Sequence, residues 1–143
     1  MLIQSCGVFN RIPSSQGNAC EILDHKSSWK RAVNKTNKKW GVSPALQLAF
    51  IKTESSFRAR AKTPRKFFLG IIPNGRISSA YGYAQALNGT WDWYKNDTGN
   101  RGASRTNFYD STDFIGWYVT QTNKKLKISK ANVYRQYLAY HQG

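Results

Sequence analysis

Acidic side chains are scarce in this chain. Asp and Glu total seven against 22 Lys and Arg, a net charge of +15 over 143 residues. Such a surface seeks a polyanion: nucleic acid, an anionic membrane or an acidic wall polymer. Histidine is limited to His25 and His141 and cysteine to Cys6 and Cys20, too scattered for a zinc site. Long apolar runs are missing too. Nothing approaches the roughly 18 consecutive apolar residues of a membrane span. Internal repeats and low-complexity tracts are absent as well.

What remains is ample for folding. Five Trp, eight Tyr and seven Phe within 40% hydrophobic residues can fill one core without metal or disulfide staples. Residues 1–27, rich in Gly, Pro, Ser, Asn and Gln, read as a loosely packed tether, and residues 28–143 as the domain. Within the tether, Leu2-Ile3-Gln4-Ser5-Cys6 is similar to a bacterial lipobox, in which the cysteine is lipidated after signal cleavage. Gln4 departs from the small residue usual there, and the reading expects a start upstream of Met1. The alternative is a Cys6–Cys20 disulfide or two free thiols.

Helix signals follow. SWKRAVNKTNKK places Trp29, Ala32 and Val33 on one face. Ser43 can cap the next helix and Pro44 suits its first position, with ALQLAFIKTE behind them. Residues 61–79 carry two prolines and two glycines between short apolar runs, which predicts a loop or small hairpin. Further helix starts are expected at Thr90 (stopped at Gly99), near Asp110 and at Ser129. In the last, Val133, Tyr137 and Tyr140 share a face. The sum is a compact, mainly α domain of short helices with one irregular or hairpin insertion.

Glu54 is the residue to explain. Leu46 and Phe50 precede it by eight and four positions, so its carboxyl lies on the apolar face at a helix C-terminus. Burial and the negative end of the helix dipole both oppose its ionisation, as a general acid near neutral pH requires. The plain alternative is a surface pair with Lys52, Arg58 or Arg60.

Glu54-Ser55-x-Phe57, Gly82-Tyr83-Ala84-Gln85 and Ala139-Tyr140-His141-x-Gly143 together resemble, in order, the three motifs of soluble lytic transglycosylases. Their patterns are E-S-x-F, G-L-M-Q and A-Y-N-x-G, on a fold shared with goose-type lysozymes. The resemblance covers about 43–143. Tyr83-Ala84 replaces Leu-Met, His141 stands in place of Asn, and the stretch between Phe57 and Tyr81 is long and basic. The resemblance implies Glu54 as catalytic acid and base, with Ser55 positioning substrate or Glu54. It implies that Tyr83 and Gln85 meet the sugar or the region of the glutamate, and that Tyr140 holds the carboxyl. The bland readings are a core aromatic for Tyr140 and a helix-surface residue for Gln85.

Glycosidases usually use two carboxyl groups, and Glu54 lacks an evident partner. Glu21 and Asp24 lie in the tether, and helix capping explains Asp92, Asp97, Asp110 and Asp113. The resemblance implies a route that needs one: cleavage of peptidoglycan glycan strands with closure of a 1,6-anhydro ring on N-acetylmuramic acid. It needs no cofactor or metal, and implies a monomer in the bacterial envelope. Trp91, Trp93, Trp117 and Tyr118 are candidates to stack on sugars, with most in the core. Arg58, Arg60, Lys62, Arg65 and Lys66 would attract stem-peptide carboxylates. The rivals are a hydrolytic lysozyme or chitinase, a nucleic-acid-binding module, for which no specific motif appears, and a wall-binding module without catalysis.

Overall fold

A computed structural model describes residues 12, 13 and 16–142. Among them the order is α1 (Ala19–His25), α2 (Ser27–Trp40), α3 (Pro44–Ser55), β1 (Arg65–Phe68), β2 (Ile72–Arg76), α4 (Asn88–Thr98), α5 (Phe108–Leu126) and α6 (Val133–Gln142). The expected mainly α architecture is present, and the insertion is an antiparallel hairpin with Phe68 opposite Ile72.

The chain reads its own punctuation. Ser43 accepts the Leu46 N–H at 3.3 Å with Pro44 at the first turn, as predicted for α3. Asn107 caps α5, its side chain accepting the N–H groups of Tyr109 and Asp110. Gly41 and Gly99 end α2 and α4 in the left-handed region. Two starts differ from expectation. Helix α4 begins at Asn88 rather than Thr90, and α6 at Val133 rather than Ser129. Before α6, Asn132 presents its side-chain oxygen to the Arg135 N–H at 3.0 Å, so the asparagine acts as the cap.

Helix α5 is the axis of the core. Phe114, Ile115, Trp117 and Val119 are wholly buried, joined by Leu46, Phe50 and Ile51 of α3 and Val33 of α2. Gly116 lets α2 and α5 touch, since a Cβ there would lie 2.5 Å from the Trp40 ring. Asp113 sits in that seam, accepting from Trp40 Nε1 and Tyr94 Oη at 2.8 Å each and from Lys39 at 2.9 Å. Its role is therefore a half-buried cross-link between three helices, and not the helix cap expected of it.

The loop reading of residues 1–27 is corrected at its end. Asn18 caps α1, accepting the Cys20 N–H at 3.0 Å, and Ile22 is buried in the core. An Asx cap and one buried isoleucine outweigh the polar composition around them. Cys20 is exposed on this helix. Cys6 and the lipobox-like stretch lie outside the described residues, and so does the question of a Cys6–Cys20 bond.

Candidate active site

Helix α3 carries Glu54 one residue from its end, after the buried Leu46 and Phe50 of the same face. The chain then turns sharply. Ser56 and Phe57 both have positive φ, 49° and 61°, an unfavourable region for side-chain-bearing residues. Phe57 holds this turn because its ring is buried and stacks on Trp29 at 5.5 Å. The Phe of the first motif thus anchors the strained reversal that ends the helix beside the carboxyl.

Glu54 is half-buried, and Tyr137 donates its phenol to Oε1 at 2.8 Å. Burial raises the carboxyl's pKa above its ordinary value. The Tyr137 hydrogen bond and the charge of His141 pull it down, and the net direction is upward. Tyr137 is in turn pushed up to about 12, first by burial and then by its contact with Glu54. No ion pair of the described residues includes Glu54; Arg58 sends its Nε to the Ser55 carbonyl at 3.0 Å instead. The surface-pair reading of Glu54 falls on that geometry.

The second motif is a tight turn built on Gly82. Its φ is 81°, and a Cβ there would lie 2.0 Å from the Arg105 carbonyl oxygen. Gly82 donates to the Ala61 carbonyl and Tyr83 to the Arg105 carbonyl. Gln85, with φ of 51°, spends its amide N–H groups on the carbonyls of Ala61 and Gly82 at 3.0 and 2.8 Å. Those bonds brace the turn.

Helix α6, which carries Tyr140 of the third motif, reaches both other segments. The rings of Tyr137 and Tyr140 each lie 5.3 Å from that of Phe50. From there the two hydroxyls diverge: Tyr137 bonds Glu54, whereas Tyr140 donates to the Ala84 carbonyl. Burial pushes the Tyr140 phenol well above its usual range. The three motif segments therefore converge around Phe50.

Several assignments change in detail. The group holding the Glu54 carboxyl is Tyr137 and not Tyr140, which ties the last helix to the second motif. The sequence signal for Tyr137 is its place three residues before Tyr140 on the same helical face. Ser55 is buried and donates to the Ile51 carbonyl at 3.1 Å, a bond within its own helix. Tyr83 does not line a substrate surface. It is fully buried, edge-on to Trp29 and Phe108, with its hydroxyl unpaired and its pKa raised to about 12 by burial. A large ring in the core position of the motif is what its apolar neighbours select. Of the candidate stacking aromatics, Trp91, Trp117 and Tyr118 are buried, and Trp93 alone is substantially exposed.

No curated protein matched the sequence of this chain. The family model of the transglycosylase SLT domain matches residues 1–143. The match spans all three motif segments, and the chain belongs to the transglycosylase SLT domain family.

Proposed function

We propose that this domain is a murein lytic transglycosylase that cleaves the glycosidic bond between N-acetylmuramic acid and N-acetylglucosamine and leaves 1,6-anhydro ends. Family membership supports a transglycosylase-type enzyme acting on peptidoglycan. The observation that carries the finer reading is the half-buried carboxyl of Glu54, shifted toward its protonated form and oriented by Tyr137.

The chemistry balances around that one group. Protonated Glu54 donates to the glycosidic oxygen, which leaves on the N-acetylglucosamine side as a hydroxyl. The electron-poor C1 that results is steadied by the substrate's own acetamido group. Glu54, now a carboxylate, takes the proton of the C6 hydroxyl, whose oxygen closes on C1. The glutamate ends protonated again, and no water is consumed. Other carboxylates are engaged elsewhere: Asp113 in the α2–α5 seam, Asp97 with the Trp117 indole at 2.6 Å, and Asp110 with the Ser104 N–H at 2.9 Å. That occupancy supports a one-carboxylate route over the two-carboxylate alternative.

Mass spectrometry of digested murein tests the proposal. Anhydromuropeptides, lighter by one water than hydrolytic products, are the expected result. Reducing ends would make the enzyme a hydrolase of the same family.

The LIQSC stretch supports an envelope location, with Cys6 as a lipid-bearing residue. The full-length gene product should then sediment with bacterial membranes even at high salt, and Cys6→Ser should abolish that salt-resistant binding. No helix of the described residues is long and apolar enough to cross a membrane.

A further inference from the structure

The hairpin of β1 and β2 takes no part in the arrangement around Glu54. Both strands are exposed along their whole length, so among the described residues nothing covers either face of the ribbon. Yet the tip carries Phe67, Phe68, Leu69, Ile71 and Ile72, with Leu69 78% and Ile71 81% exposed. Two-stranded ribbons are marginal alone, and here the base is pinned. Thr63 Oγ1 donates to the Ser78 carbonyl at 2.9 Å, and the Ile77 N–H to the Pro64 carbonyl at 3.2 Å. The structure therefore holds out an apolar tip, and contiguous apolar surface of this kind marks contact with another body.

Charge indicates which body. Arg65, Lys66 and Arg76 form a collar behind the tip, and no acidic residue occurs between Glu54 and Asp92. The register sets Arg65 opposite Arg76, whose Nη1 also donates to the Thr63 carbonyl. Like charges so paired are unfavourable in water, and an anion lying between them would relieve the repulsion. A soluble polyanion would use the collar and leave the apolar tip in water. An anionic bilayer surface satisfies both parts at once, with acyl chains for the tip and phosphates at the level of the collar.

We propose that the hairpin Arg65–Arg76 docks the domain on an anionic phospholipid surface, inserting Phe67–Ile72 into the interface while Arg65, Lys66 and Arg76 engage headgroups. This docking is separate from any lipid on Cys6 and from the glycan chemistry at Glu54.

Co-sedimentation of the full chain carrying Cys6→Ser, and hence no acyl group, provides the test. The protein should partition onto phosphatidylglycerol–phosphatidylethanolamine vesicles far better than onto phosphatidylcholine vesicles, and weaken as salt rises. Leu69→Asp with Ile71→Asp should lower that partition by about 10-fold or more with unchanged thermal unfolding, because the tip lies outside the core. Arg65→Gln with Arg76→Gln should weaken binding and flatten its salt dependence. A Leu69→Trp reporter should shift its emission to the blue with the anionic vesicles. Failure to bind anionic vesicles would overturn the proposal, as would equal binding to neutral ones. Binding untouched by the tip substitutions would overturn it too, since diffuse charge would then suffice. So would tip variants that abolish self-association or a protein complex while the parent ignores lipid.

Discussion

Tyr137 on the last helix donates its hydroxyl to Glu54 at the end of α3, joining two positions 83 residues apart with a 2.8 Å bond. That bond orients the carboxyl and lowers its pKa, while burial raises it by more. The predictions follow from what each partner contributes.

Glu54→Gln should abolish murein cleavage, losing at least the roughly 10²–10⁴-fold that general acid–base action supplies. Stability should hold or rise. A carboxyl whose folded pKa lies above its unfolded value stabilises the fold only while protonated, and that contribution is lost as pH rises through the folded pKa. Glutamine removes the cost of the buried anion. Thermal unfolding against pH should therefore show the variant's advantage above the folded pKa of Glu54, disappearing below the ordinary value of 4.5. Full activity in the variant would remove Glu54 from the mechanism.

Tyr137→Phe should reduce kcat by about 10-fold or more, the scale of a lost positioning bond to a catalytic group. The bond favours the charged carboxylate, so removing it raises the Glu54 pKa further. The high-pH limb of the kcat/KM profile, where the general acid becomes deprotonated, should move to higher pH. An unmoved limb would mean that Tyr137 only packs against Phe50.

Tyr140→Phe should act differently. It leaves the Ala84 carbonyl without its donor, which should cost about 1–3 kcal/mol of stability, while kcat per folded molecule falls less than in Tyr137→Phe. Denaturant unfolding alongside initial rates separates the two. A larger rate loss for Tyr140→Phe would return the positioning role to the motif tyrosine.

Gly82→Ala should destabilise the protein by roughly 3 kcal/mol or more, combining a strained positive φ with a backbone clash. The added Cβ has no room beside the Arg105 carbonyl, so the turn bearing Gln85 must move. Unfolding measured by circular dichroism should show a large fall in midpoint. A midpoint near that of the parent would show that the turn can be made without glycine.

Asp113→Ala should cost about 2–4 kcal/mol, because Trp40 and Tyr94 lose a shared acceptor within the α2–α5 seam. Cleavage per folded molecule should persist. Loss of cleavage in a folded variant would instead give the enzyme a second working carboxylate.

The sequence by itself determined the face of α3. The spacing of Leu46, Phe50 and Glu54 places the carboxyl on the buried side, and Ser43-Pro44 fixes where the helix starts, because both are local consequences of helical geometry. That residues 61–79 leave the helical pattern was legible for the same reason, from their glycines and prolines, while the choice of a hairpin over a loop was not. Tertiary structure alone decided what meets the carboxyl. Tyr137 and Tyr140 share one face of α6 and lie only about 4.5 Å apart along its axis, so periodicity cannot choose between them. The docking of α6 on Phe50 chooses, sending one hydroxyl to Glu54 and the other to Ala84. Tyr83 and Asp113 needed the fold for the same physical reason. Whether a ring faces substrate or core, and whether a carboxylate caps a helix or cross-links three, depends on partners brought together from distant parts of the chain.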